Sequence, residues 1–370
     1  MELVVGKNQL LRELQLFQGI VERKNTIPIL ANVLMDAKGD QVSLLATDLE
    51  VGLRSKCAAT VTKSGSLTLP AKKFFEIVKS LPETDIRIAE DKGGVKIAAD
   101  RFDSRMQTLP REDFPTLPES GTATTATLTR GSVKEMVAKT QFAITGEDTR
   151  FFLNGALFVL RPGEMSLVAT DGHRLALVTV ARNGSSTKGD AENKAILPKK
   201  TMGELGRLLS EGEGDISYER GENHLFFDVG GRLLISRMID GQFPAYERVI
   251  PKGNDKHIEF ERDRLTNAVK RVALLSNERS RAVKIQIDKG KVDVTSSSPD
   301  LGEAKETLPV EYTGATMQIC FNAQYVLDFL SAVTTDVVSL DLKDEVSQAV
   351  MKPVGAEGYD YTYVIMPMRV

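Results

Sequence analysis

One short stretch that recurs three times constrains this chain more than any other feature. Leu167-Val168-Ala169-Thr170-Asp171-Gly172-His173-Arg174-Leu175-Ala176-Leu177-Val178 reads as an apolar strand, a tight Asp-Gly turn and a second apolar strand. Leu44-Leu45-Ala46-Thr47-Asp48-Leu49-Glu50-Val51-Gly52-Leu53 has the same shape. Val294-Thr295-Ser296-Ser297-Ser298-Pro299-Asp300-Leu301-Gly302-Glu303 is a fainter copy. The aspartates stand at 48, 171 and 300, so the copies are 123 and 129 residues apart. That period is far beyond the ~20–50 residues of stacked solenoids, and it describes three domains built on one plan.

Other elements recur in step. An amphipathic helix is expected near the start of each copy, at 8–17, 132–139 and 263–272, with Ser132 and Asp263 as N-caps. Bounded apolar runs follow at 29–35, 151–159 and 283–287, the last strictly alternating as a half-buried strand does. A second helix is expected at 69–80, 197–209 and 321–330, entered through Pro70 and Pro198 in the first two copies. Each copy then closes with strands. Polar segments at 122–127 and 251–255 separate the copies, which gives domains at 1–120, 127–250 and 256–370. Helix, strands, helix, strands is an α+β pattern, with two helices packed on antiparallel sheets in each domain.

Composition narrows the class. Hydrophobic content of 41% and charged content of 27% are ordinary for a globular chain of 370 residues. No apolar run approaches the ~20 residues that span a bilayer, and Met1-Glu2-Leu3 does not open a signal peptide. Cys57 and Cys320 lie far apart with no metal spacing, so a reducing cytoplasm is the expected location and no cofactor is expected. GxSxG, HExxH, GxxxxGK[ST] and a strand-borne GxGxxG are all lacking. Asp171 beside His173 is the one pair that invites a hydrolase reading. Asp48 and Asp300 recur without a histidine, which favours a turn-forming aspartate over an acid–base pair.

Charge is unevenly placed. The chain sums to −3, yet the six expected helices, with Lys7 just ahead of the first, carry thirteen basic and six acidic side chains. If the helices share a surface, it attracts phosphate without reading base sequence. A protein-interaction scaffold with no nucleic-acid role is the competing reading.

Ala169-Thr170-Asp171-Gly172-His173-Arg174-Leu175-Ala176, Thr26-Ile27-Pro28-Ile29-Leu30, Asp240-Gly241-Gln242-Phe243-Pro244 and Tyr363-Val364-Ile365-Met366-Pro367-Met368-Arg369-Val370 together resemble the bacterial sliding clamps, the beta subunits of DNA polymerase III. The resemblance runs end to end. It implies a homodimeric, head-to-tail ring of six domains that encircles duplex DNA without sequence specificity, and a non-catalytic processivity factor. Polymerase, clamp loader and repair proteins would attach by short linear peptides ending in apolar side chains. Carried onto this chain, the peptide cleft between the second and third domains is formed by Leu153, Thr170, Gly172, His173, Arg174, Leu175, Pro244, Arg248, Val249, Asn322, Tyr325, Val346, Met366, Pro367, Met368 and Arg369. DNA-facing residues would be Arg23, Lys24, Lys72, Lys73, Lys134, Arg150, Lys199, Lys200 and Arg207. Phe151 and Phe152 cannot hydrogen-bond phosphate, which favours core packing there. The dimer joint would set Arg101 and Arg105 against Glu303 and Glu306, with Leu274 and Leu275 as its apolar part.

Overall fold

The computed structural model of the chain describes residues 1–21, 26–121, 126–182 and 192–369. Arg23, Lys24 and most of the first expected linker lie outside the described residues. Six α-helices are present among the described residues: α1 Lys7–Phe17, α2 Ala71–Ser80, α3 Arg130–Thr140, α4 Lys199–Leu208, α5 Arg262–Ala273 and α6 Ala323–Ala332. Every strand pairing is antiparallel, so the α+β expectation holds.

The chain divides into two compact units that cut across the three sequence copies. The first, residues 1–134 with 200–238, holds a five-stranded and an eight-stranded sheet. Arg232–Arg237 of the second copy pairs with Val51–Ala58 of the first, and this ladder makes one eight-stranded sheet from strands of two copies. The second unit, residues 135–199 with 239–370, has an eight-stranded and a four-stranded sheet. Here Asp360–Ile365 of the third copy pairs with Arg174–Ala181 of the second. The same joint is thus built twice: the last strand of one copy pairs with the strand after the aspartate turn of the copy before it.

The helices show a second repeated device. The first helix of each copy begins with a cation whose side chain donates to a carbonyl just past the C-terminal end of that copy's second helix. Lys7 reaches the carbonyl of Leu81, Arg130 that of Glu211, and Arg262 that of Val333 at 2.8 Å. Carbonyls at a helix C-terminus lack intrahelical partners and carry the negative end of the macrodipole, so a cation is stabilising there.

Local expectations fail where a neighbouring residue competes. α3 begins at Arg130, which puts Ser132 inside the first turn and not at the cap. α5 begins at Arg262 after Glu261, so Asp263 lies in the first turn, where its charge suits the helix dipole. Asn322 caps α6, accepting from the backbone N–H of Gln324 at 2.9 Å. The apolar runs at 29–35 and 151–159 do not begin as strands. Pro28–Ala31 and Phe151–Leu153 are 3₁₀ turns, and the strands start at Asn32 and Gly155. Ile29 and Leu30 pack under Phe114 there, so their apolar character reflects a local core.

Two adjacent ion pairs on α1 differ in burial. Glu13 is 7% exposed and binds Arg232 through both carboxylate oxygens, at 2.6 and 3.0 Å. Arg12 pairs with Glu211 at the surface. Glu13→Ala should destabilise the protein by about 2–3 kcal/mol by stranding the half-buried Arg232. Arg12→Ala should change stability by less than about 1 kcal/mol. Urea unfolding of both variants checks the contrast.

Candidate functional site

The repeated aspartate builds a turn. Asp171 Oδ1 accepts from the backbone N–H of His173 and Arg174, at 2.9 and 3.0 Å. Thr170 Oγ1 accepts from the N–H of Gly172 and donates to the carbonyl of Arg174. The first copy repeats this atom for atom: Asp48 Oδ1 holds the N–H groups of Glu50 and Val51, and Thr47 Oγ1 holds Leu49 and the carbonyl of Val51. Gly172 has φ 87° and its counterpart Leu49 has φ 80°. The other oxygen differs, because Asp171 Oδ2 takes Arg174 Nε at 3.1 Å whereas Asp48 Oδ2 takes Lys200. Both oxygens of Asp171 are therefore engaged, and among the described residues no bond joins it to the exposed His173 ring. The hydrolase reading loses its acid–base pair.

Beside this turn lies an open, mainly apolar pocket of about 250 Å³. Its walls are Phe152 and Leu153 of the 3₁₀ turn, Thr170 and Leu175 at the strand ends, Pro244, Tyr246 and Val249 on a connecting segment, and Val364 and Met366. Leu157, Val159, Val168, Ile196 and Phe243 form a buried layer with Leu175, Tyr246 and Val364. Val249 and Met366 stay more than a third exposed at the rim, an unusual place for large apolar side chains unless something covers them.

Arg174 anchors the polar end. It is 9% exposed, with its guanidinium 4.3 Å from the Tyr325 ring centroid and 5.3 Å from that of Phe142. It donates to Asp171, to Asp328 of α6 and to the carbonyl of Phe142 at 2.7 Å. Two carboxylates neutralise this buried cation, so it presents N–H donors in a fixed plane more than a net charge. Arg150, also on the pocket wall, is held by Asp148 at 2.8 Å. Those bonds pull the Asp148 carboxyl down to about 2. The pair persists above that pH and breaks only as pH falls through it.

The structure brings together half of the residues carried over for the cleft: Leu153, Thr170, Gly172, Arg174, Leu175, Pro244, Val249 and Met366. His173 contributes its carbonyl, which accepts from the N–H of Met366 at 2.9 Å. Tyr325 lies behind Arg174, Asn322 caps α6, and Arg248 is exposed in the adjoining turn. Val346, Met368 and Arg369 line a separate groove, while Pro367 lies between the Met366 and Met368 anchor points. Phe152, Tyr246 and Val364 were missed. Tyr246 and Val364 sit inside or beside motifs already conspicuous in the sequence, Asp240 to Pro244 and Tyr363 to Val370.

Four of the cations carried over as DNA-facing are ion-paired within the chain. Lys200 forms an ion pair with Asp48 and donates to the carbonyl of Ile20, so its charge is neutralised inside the first unit. Arg150 belongs to the pocket and its charge is met by Asp148. Lys139, counted among the helix cations, is buried against Glu135 and the carbonyl of Ala332. Lys73 pairs with Glu76 and Arg207 with Glu204, both on the surface. Lys134 and Lys199 are exposed, and Lys72 is partly exposed. Phe152 packs on the pocket layer as expected of core, but Phe151 is 56% exposed.

At the two sheet edges, Glu306 is engaged by Arg271 of its own chain at 2.6 Å. Arg105 donates to the carbonyl of Asp91. Arg101 and Glu303 are exposed, Leu274 is 76% exposed and Leu275 is partly buried.

Three domain families match in tandem: the N-terminal domain of the DNA polymerase III beta subunit over residues 1–118, its central domain over 127–245 and its C-terminal domain over 247–369. Three clamp domains in one α+β chain define the class. The beta sliding clamp of Pseudomonas putida is 38% identical over 373 residues and that of Escherichia coli K12 is 36% identical over 371, each with full coverage of both chains. The crystal structure of the DNA polymerase III beta subunit from Pseudomonas aeruginosa aligns over both full chains with a TM-score of 0.94 at 35% identity. A griselimycin-bound sliding clamp from the same organism aligns equally well at 36% identity. The chain belongs to the DNA polymerase III beta subunit family, the bacterial sliding clamps, and is a non-catalytic processivity subunit.

The turn predicts opposite outcomes for its two copies. Gly172→Ala forces a left-handed residue and sets a Cβ 3.2 Å from Arg150 Nη1, so it should destabilise by about 1–2 kcal/mol. Leu49→Gly relieves the same conformation and should be neutral or stabilising by up to about 1 kcal/mol. Thermal unfolding of both variants decides it.

Proposed function

We propose that two copies of this chain, each with clamp domains 1–120, 127–250 and 256–370, close head-to-tail into a ring that encircles duplex DNA. Clients are tethered by apolar-ended peptides seated in the pocket beside Arg174. One observation carries the ring reading. The two internal joints each pair a copy's last strand with the post-turn strand of the copy before. Applied to the ends, this rule leaves the last strand of copy one, Phe102–Gln107, and the post-turn strand of copy three, Gly302–Pro309, at sheet edges. These are complementary halves of a third such joint, and a heterologous contact that closes gives a ring with those edges covered.

DNA contact rests on Lys72, Lys73, Lys134, Lys199 and Arg207, with Arg23 and Lys24 as further candidates. Such contacts are electrostatic, weak and salt-dependent, so the tether comes from topology. A polymerase held at the ring rebinds from a high effective concentration before it diffuses away. The apolar pocket with a fixed donor plane at one end suits a short peptide with a few anchoring side chains.

Sedimentation should give twice the chain mass of 40.6 kDa, and Leu274→Asp should shift the population to single chains. A wild-type protein that sediments only as single chains sinks the ring. Reversing Lys72, Lys73, Lys134 and Lys199 to glutamate should impair loading on DNA while leaving peptide binding intact. A plain interaction scaffold would lose nothing.

A further inference from the structure

The first joint carries a counterpart of the apolar pocket, and strand register identifies the equivalent positions. Leu34 stands opposite Thr68 and Leu45, as Leu157 stands opposite Ile196 and Val168 in the second copy. Gly52 stands opposite Thr47 and Ile235, as Leu175 stands opposite Thr170 and Val364. A Phe-Pro pair recurs too: Phe114 shares a buried cluster with Leu34, and Phe243 shares one with Leu157. Phe152 and Leu153 of the pocket wall therefore correspond to Ile29 and Leu30, each pair in a 3₁₀ turn. These first-copy positions all belong to the first compact unit.

The two faces differ at the floor. Where the pocket has Leu175, the first face has Gly52, and Leu117 takes the space: a Cβ on Gly52 would meet Leu117 Cδ1 at 2.5 Å. Leu117 is half-buried and stands outside any helix or strand. The first face thus already holds an apolar side chain, supplied by its own chain. The lip differs as well. Gly172 and Arg150 adjoin beside the pocket, with a Cβ on Gly172 3.2 Å from Arg150 Nη1. Their counterparts are Leu49 and Ile27, both large, apolar and exposed. Leu49 has φ 80°, and its turn is built by Thr47, Asp48 and backbone groups without use of the leucine side chain. An exposed apolar residue held in a strained conformation that its own turn does not require points to a role in binding.

We propose that the first joint holds a second, closed peptide pocket, with Leu117 as its plug and Ile27 and Leu49 as its lip. Its ligand is a peptide ending in apolar side chains, because the face repeats the open pocket's framework and its present occupant is itself such a side chain. Ile27 stands in place of Arg150 and Val51 in place of Arg174, so the site offers no guanidinium and selects for the apolar end alone. Leu117 must swing out before a peptide enters, and the apparent affinity falls in proportion to the open fraction. This rests on the pocket beside Arg174 being the client site.

The test titrates the full protein with a synthetic peptide ending in Leu-Phe that carries a photoreactive group, counts peptides bound per chain and maps the crosslinks by mass spectrometry. Wild type should bind one peptide per chain and crosslink at the Arg174 pocket. Leu117→Ala removes the plug and should bind two, with new crosslinks at Ile27 or Leu49 and the added site tightened by about tenfold. Gly52→Ala should also bind two, because its methyl closely meets only the flexible end of Leu117, the other neighbours standing at 3.6 Å. Leu49→Asp placed on either variant should return the count to one. A count of one in both variants, with the Arg174 pocket still crosslinked, overturns the closed pocket and spares the open one. Failure of wild type to bind the peptide overturns the open pocket's reading and the closed one with it.

Discussion

The rest of the architecture depends on the antiparallel ladder that joins one copy to the next. A strand at a sheet edge exposes unpaired backbone donors and acceptors, and burying or pairing them is a strong constraint on any β-containing fold. Here the Arg232–Arg237 and Asp360–Ile365 strands resolve it twice by pairing with the copy before. The compact units therefore straddle the sequence copies. The same rule makes two of the edge strands, Phe102–Gln107 and Gly302–Pro309, complementary halves, which is the basis of the proposed ring.

Against this ladder, the helices are positioned by charge as well as by packing. A cation at the start of a helix opposes that helix's own dipole, a cost of roughly 0.3–1 kcal/mol at an exposed position. Lys7, Arg130 and Arg262 turn this into an asset by reaching the C-terminal carbonyls of the paired helix. Lys134 stands early on its helix without that arrangement, and Lys199 donates instead to the carbonyl of Ile144 at 3.3 Å.

Much of this was legible in the residues. The Asp48 and Asp171 turns were readable because an Asx turn is local: the side chain bonds the backbone two and three residues on. The six helices and the α+β class were readable from periodicity. What escaped depends on partners distant in sequence. Lys200 looks like a surface cation until Asp48, 152 residues away, is found beside it. Arg150 gives no sign in the sequence of the pocket wall it lines in the structure. Ser132 and Asp263 look like caps because the basic residue ahead of each is recruited by the neighbouring helix, which pulls the helix start earlier. Similarly, Val346, Met368 and Arg369 entered the cleft by the resemblance alone, and the groove they line has no apolar signature in the sequence.

The most direct measurement loads the protein with a clamp loader and ATP onto a nicked circular plasmid, isolates the complex at moderate salt and then cuts the circle once. A closed ring held by topology stays on the circle and slides off the linear ends. Equal retention on the circular and linear forms would mean ordinary DNA affinity and would contradict the account.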